Sequence, residues 1–212
     1  MRKRWKHLAD SSTFLGSEQY HGRMSNAAAR TIKGGVLSSR LSFLRSRGGD
    51  EAVERVFQRL PKADVALLRG TIAPAGWYSF DTGSRLDAAI AEELGGGEAL
   101  FLLMGAQSAE DNLSHAQRAF VRERDPLALL KSAASIYRLY YKSGRRTFER
   151  VGERKVVLRT YDSETFSRAD CLTVVGWHER VIGMCGGKKV HVEETKCRAR
   201  GDDVCEYVCE WD

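Results

Sequence analysis

Four side chains far apart along the chain, Cys171, Glu194, Cys197 and Cys205, are of the types that bind a borderline-soft divalent cation. Three thiolates and one carboxylate suit a closed tetrahedral Zn²⁺ site. Such a site would carry a net charge of −2, and Lys196, Arg198 and Arg200 lie close by in sequence to offset it. With no open position the ion would be structural and would not activate water. All five cysteines fall in the last 42 residues, including Cys185 and Cys209. Their number is odd and no secretory leader opens the chain, so a disulfide framework is a poor explanation. The competing reading is that they are small buried thiols.

The elements that must position these residues follow from the patterning. Val190, Val192 and Glu194 share one face of a strand, and a carboxylate in line with two valines is costly to bury unless paired or ligating. Cys205, Tyr207, Cys209 and Trp211 share one face of the last strand. Cys171 opens a helix over about 170–184, whose inward face carries Val174, Val175, His178, Ile182 and Cys185. Cys197 lies three residues after Glu194, so it needs a turn or bulge to face the same point. Glu193 is the fallback carboxylate if the register differs by one, and with His191 it otherwise faces solvent.

Before this region the sequence reads helical. Val53, Val56, Phe57 and Leu60 follow helical spacing, with Asp50 as cap and Pro61 as stop. Ser84 and Asp87 make a capping-box pattern, and Gly95, Gly96 and Gly97 end that helix. Glu98 to Gly105 is a buried segment of either type. Leu113, Ala116, Phe120 and Val121 mark another helix, and Asp125-Pro126 starts one whose apolar face includes Leu130, Ala134, Tyr137 and Tyr141. Arg146 to Tyr161 reads as two strands split at Gly152-Glu153, and two more strands close the chain. Helices first and antiparallel strands later predict an α+β fold, with a helical layer on a twisted antiparallel sheet.

The chain has 212 residues, 42% hydrophobic and 29% charged, enough for one domain with its own core. Residues 1–33 hold seven basic and two acidic side chains, so five of the six net positive charges sit there. The expected organisation is a basic leader over residues 1–31 and a single domain over 32–212, with Met24 an alternative start. Nucleic acid is expected only through that basic tail. The apolar stretches are too short for a membrane span, and the expected location is the cytoplasm.

The spacing Cys-x22-Glu-x2-Cys-x7-Cys, ending in Cys197-Arg-Ala-Arg-Gly201-Asp202-Asp-Val-Cys205-Glu, resembles the 4-vinyl reductase domain. It also resembles the sensory domain of bacterial activators that detect phenols and other aromatics. Cys171, Glu194, Cys197 and Cys205 match the zinc ligands of those sensors one for one. With Gly176-Trp177, Gly186-Gly187 and the terminal Trp211, the layout from about residue 32 is similar to a myxobacterial family. The same superfamily holds subunits of transport-protein-particle tethering complexes and the haem nitric-oxide-binding domain. The resemblance implies an α+β sensory domain that dimerises through helices. The activators' ATPase has no counterpart here, because the chain lacks a P-loop.

Tyr141-Lys-Ser143-Gly-Arg145 resembles the haem-propionate motif of that haem domain, with His115 as the available axial residue. The helix-end reading of the same residues is preferred, and the expectation is against haem. His178 with Cys185 or Cys171 forms a conceivable nucleophile pair, set against a core histidine beside a buried thiol. Trp77, Tyr78, Phe101, Tyr137 and Tyr141, with Phe80 and Tyr140 near them in sequence, are candidates to line an apolar pocket or simply core. Together these readings predict a non-enzymatic, zinc-stabilised sensor that binds a small hydrophobic or aromatic molecule. It would signal through an unidentified protein partner or a second copy. The alternative is a ligand-free dimeric scaffold of the same fold.

Overall fold

The structure is a computed structural model, and it describes residues 30–113, 121 and 125–212. The leader, apart from Arg30 and Thr31, lies outside the described residues, as do Met24, His115, Ala116 and Phe120.

The fold is α+β, as the patterning predicts. A short strand β1 (Thr31–Lys33) leads into helix α1 (Gly34–Arg59), which is broken at Gly49 where φ is 71°. Pro61 ends that run and opens α2 (Lys62–Arg69). Strand β2 (Trp77–Ser79) pairs antiparallel with β1, aligning Thr31 with Ser79 and Lys33 with Trp77. Helix α3 (Phe80–Leu94) follows directly. Its cap is Ser79, whose hydroxyl accepts from the Asp81 backbone N–H, and not Ser84. Asp87 faces inward from the middle of α3, because a buried cation on α1 claims its carboxylate.

The 98–105 segment is part of helix α4 (Gly97–Leu113). Helix α5 (Pro126–Lys131) is capped by Asp125, which accepts from the Ala128 N–H, and α6 (Ala133–Tyr140) continues after a break at Ser132. Strands β3 (Arg145–Arg150) and β4 (Lys155–Tyr161) form the expected hairpin. Helix α7 (Arg168–Met184) is capped by Ser167 and leads to β5 (His191–Lys196) and β6 (Cys205–Glu210). The sheet order is β3-β4-β6-β5, antiparallel throughout.

Two cores result. Leu37, Phe43, Leu44, Val56, Leu86 and Ile90 are buried where α1 packs on α3. Val156, Leu158, Val175, Ile182, Val192 and Tyr207 are buried where α7 lies on the sheet. The seam between them is α4 against α7. A Cβ added at Gly105 would stand 2.0 Å from the Thr173 carbonyl oxygen, and one at Gly176 would stand 2.0 Å from that of Leu102. Only hydrogen at these two positions lets the helix backbones meet so closely.

Candidate functional site

The structure brings Cys171, Glu194, Cys197 and Cys205 together. One ligand atom from each lies within 4.8 Å of the others. Cys171 stands in the first turn of α7, and Cys205 starts β6. Glu194 pairs with Tyr207, whereas Lys196 pairs with Glu206, so β5 carries an irregularity at Thr195 that turns the chain towards Cys197. Beyond Cys197 the chain makes a 3-10 turn over Arg198–Arg200 and a left-handed step at Gly201 (φ 98°). Asp202 holds that turn by accepting from the Cys197 backbone N–H at 2.7 Å.

Cys171 Sγ and Cys205 Sγ are 3.7 Å apart. A tetrahedron with metal–sulfur bonds of about 2.3 Å has sulfur–sulfur edges of about 3.8 Å. Glu194 has a side chain only 3% exposed, and its Oε1 is buried without a hydrogen-bond partner among the described residues. An orphaned carboxylate oxygen among three sulfurs is the donor set a divalent cation satisfies. Glu193 is exposed on the other strand face, as is His191.

As protein groups alone, the four compete for protons. Hydrogen bonding from Cys171 draws Cys197 down to about 6 and Cys205 down to about 7. The same bonds hold Cys171 far above the usual thiol range. Burial raises Glu194 to about 7.

The countercharge differs in part from the sequence expectation. Arg168, in the first turn of α7, ion-pairs with Glu194 Oε2 and with Glu98 of α4. Arg200 donates to the Glu194 backbone carbonyl at 3.1 Å. The Arg198 backbone N–H lies 3.4 Å from Cys205 Sγ, and its guanidinium covers Phe166. Lys196 is exposed. Arg168 follows the N-cap Ser167, a position from which it reaches Glu194 only after α7 docks on the sheet.

Next to this cluster is a cavity of about 50 Å³, lined among others by Val36, Arg40, Gly105, Ile136, Tyr137, Tyr140, Tyr141, Arg146, Trp177 and His178. Of the expected pocket residues, Tyr137 and Tyr141 line it and Trp77, Tyr78 and Phe101 do not. Trp77 lies under the ammonium groups of Lys33 and Lys142. The Tyr78 hydroxyl accepts from the Ala73 N–H, and Phe101 packs on the α1–α3 core. Small strands and helix ends claim these aromatic faces before the cavity can.

A charged group invisible in the sequence forms one wall. Arg40, its side chain 4% exposed, reaches Asp87 at 2.9 Å, Thr173 at 3.2 Å and Asp170 at 3.6 Å. The Tyr141 hydroxyl donates to the Asp170 carboxylate at 3.0 Å. Burial raises Asp170 to about 6, and it raises Asp87 as well. Arg40 occupies a position in step with Leu37 and Leu44, a basic residue on an apolar stripe, which is the signal that marks it.

His178 is buried with Nδ1 2.7 Å from the Val174 carbonyl, and Cys185 is buried one turn or more further on. Cys209 is core, opposite Val156 and Val192, and burial pushes its thiol up to about 12.

The fold defines a class. It is shared with H-NOX domains, although no family model and no curated protein matches this chain. An H-NOX protein from S. oneidensis, solved in the Fe(II)NO ligation state, superposes with a TM-score of 0.68 at 14% identity, covering 85% of this chain and 99% of the other. An unliganded Fe(II) H-NOX mutant from K. algicida gives 0.66 at 14% identity, covering 85% and 96%. A further chain, from work on heme redox potential and porphyrin distortion, gives 0.64. At this identity the likeness is one of fold. It does not show the 4-vinyl reductase family.

This finding overturns the expectation against haem: the solved structures with this fold include haem proteins. The described residues take up the motif as follows. Tyr141 is bound to Asp170, Ser143 accepts from the Glu164 N–H at 2.9 Å, and Arg145 lies 3.9 Å from Asp162 and over Tyr161. His115 lies outside the described residues. A cavity of about 50 Å³ does not hold a porphyrin.

Proposed function

We propose that this chain is a non-enzymatic sensory domain of H-NOX-like fold that binds a small molecule in the α1–α4–α6–α7 cavity. A zinc ion on Cys171, Glu194, Cys197 and Cys205 would lock its sheet. The observation that carries the zinc reading is the buried Glu194 oxygen with no partner among the described residues, set within 4.8 Å of three sulfurs, two of which are 3.7 Å apart. Four protein ligands leave no open coordination position, which suits a structural role. Val174 and Tyr207 connect the cluster to the cavity: Val174 lines the cavity, and Tyr207 stacks on its His178. Ligand entry is thereby coupled to the packing of α7 on the sheet, and the signal passes through association with a partner, a second copy being the first to test. Elemental analysis of untagged protein purified without chelator tests the metal. About one zinc per chain is expected, and less than about half an equivalent overturns it.

The H-NOX likeness favours a second reading, a haem-based gas sensor. Reconstitution with haemin decides it: a stoichiometric Soret band that shifts with nitric oxide supports it, and a spectrum of free haemin removes it. No helix among the described residues is long and apolar enough to cross a membrane.

A further inference from the structure

Two polar groups on the cavity wall lack the partners that their neighbours have. Arg146 of β3 donates from Nε to the Thr160 hydroxyl at 2.9 Å. Its guanidinium carbon lies 4.8 Å from the Tyr137 ring centre and 5.3 Å from that of Tyr207. Aromatic stacking of this kind fixes the plane of the fork and leaves its edge free. Its charge is felt by the Asp170 carboxylate, but among the described residues no carboxylate oxygen stands within ion-pair distance of it, and Nη1 and Nη2 make no hydrogen bond. The contrast with other arginines is direct: Arg40 is spent on Asp87 and Asp170, and Arg159 on Glu149 and Glu206.

His178 is 3% exposed. A carbonyl oxygen only accepts, so the 2.7 Å contact with Val174 assigns the ring proton to Nδ1. Burial, aided by Arg146, holds the ring pKa at about 3, so the imidazole is neutral and Nε2 is an acceptor to which no described residue donates. Trp177 edge-on at 5.2 Å and Tyr207 stacked at 6.0 Å fix the ring. Arg146 and His178 line the same small cavity, whose remaining wall includes Val36, Ile136 and Tyr140.

We propose that this cavity binds a small hydroxyl-bearing carboxylate of about glycolate size. The carboxylate sits on the Arg146 Nη edge and the hydroxyl donates to His178 Nε2. This rests on the reading of the cavity as the ligand site and narrows its chemistry. A planar fork with free N–H groups matches a carboxylate, and a buried neutral imidazole needs a donor. Size excludes an aromatic body in this arrangement: benzene takes a cavity of about 150 Å³, whereas a water's share of liquid volume is about 30 Å³. The space here, about 50 Å³, suits a molecule of a few heavy atoms.

The test is calorimetry, with tryptophan fluorescence, on the zinc-replete full chain with four probes: sodium glycolate, sodium acetate, glycolamide and phenol. Glycolate is expected to saturate. Glycolamide, lacking the charge, should bind about tenfold or more weakly, and acetate, lacking the hydroxyl, several-fold more weakly. Arg146→Gln and Arg146→Lys should both weaken glycolate by about tenfold or more at unchanged zinc content and far-ultraviolet spectrum. His178→Phe should abolish the preference for glycolate over acetate. If phenol or glycolamide binds as tightly as glycolate, the anion assignment is wrong while the cavity remains a ligand site. If none of the four saturates, the proposal is overturned, and zinc content then reports separately on the metal half of the functional reading.

Discussion

Two cores of this molecule, one under α1 and α3 and one under α7, are built by different means. The α1–α3 core is an ordinary hydrophobic one, with Leu37, Phe43, Leu44, Leu86 and Ile90 fully buried and the charges largely outside. The α7–sheet core holds four buried cysteines, Cys171, Cys197, Cys205 and Cys209, and the carboxylate of Glu194 beside Val192 and Tyr207. Apolar packing stabilises the first without any cofactor. The second concentrates unmatched polar atoms at one point, which destabilises it unless a cation collects them. The cavity and the buried Arg40 network lie at the boundary, where Arg40 of α1 meets Asp87 of α3 and Asp170 of α7.

The largest expected effect is therefore on one side only. Zinc chelation, or Cys205→Ser, should remove several kcal/mol, about 3 or more, from the α7–sheet core. Hydrogen exchange should then rise across 145–210 and stay low across 34–60 and 80–94. Equal loosening of both halves would break the comparison. Next comes the boundary. Arg40→Met leaves the Asp87 and Asp170 carboxylates buried without their cation, and should cost about 3–5 kcal/mol in urea unfolding. Because Arg40 joins α1, α3 and α7, this loss should appear in both cores together.

Gly176→Ala puts a methyl group into the Leu102 backbone and should cost about 1–3 kcal/mol by forcing α4 and α7 apart. Urea unfolding checks it, and a midpoint equal to that of the wild type would mean that the two backbones do not meet there. The last effect is a pH slope. His178 has its pKa depressed from 6.5 to about 3 by burial, so between those values the unfolded chain binds a proton that the folded chain does not. Stability should rise with pH in that window, by about 1.4 kcal/mol per pH unit for this one group. The difference between wild type and His178→Phe isolates it from Asp170 and Glu194, which both retain. Identical profiles would mean that the histidine is not buried neutral.

Much of the candidate metal centre was legible because strand alternation and helix entry are local rules. Period two aligned Glu194 with the valines, and the three-residue step to Cys197 required an irregularity, which stands at Thr195. The cavity was read poorly. Trp77, Tyr78 and Phe101 were reasonable on type, but a short β1–β2 pair and the α1–α3 core use them. Ser84 and Asp87 matched a capping pattern, yet Asp87 answers to Arg40, 47 residues away. The β1–β2 pair is three residues per strand, too short for periodicity to register.

The residue order alone settled the α+β class, the closing hairpins and the α7 boundaries to within a few residues, and it named Cys171, Glu194, Cys197 and Cys205 as candidate donors. Those properties depend on alternation, helical spacing and breakers acting over a few positions. Which cation steadies Glu194, which aspartates bury Arg40, and that Arg146 and His178 meet at one cavity were decided only when the helices packed. Such pairings join residues tens of positions apart, and their energies arise from the water excluded between them.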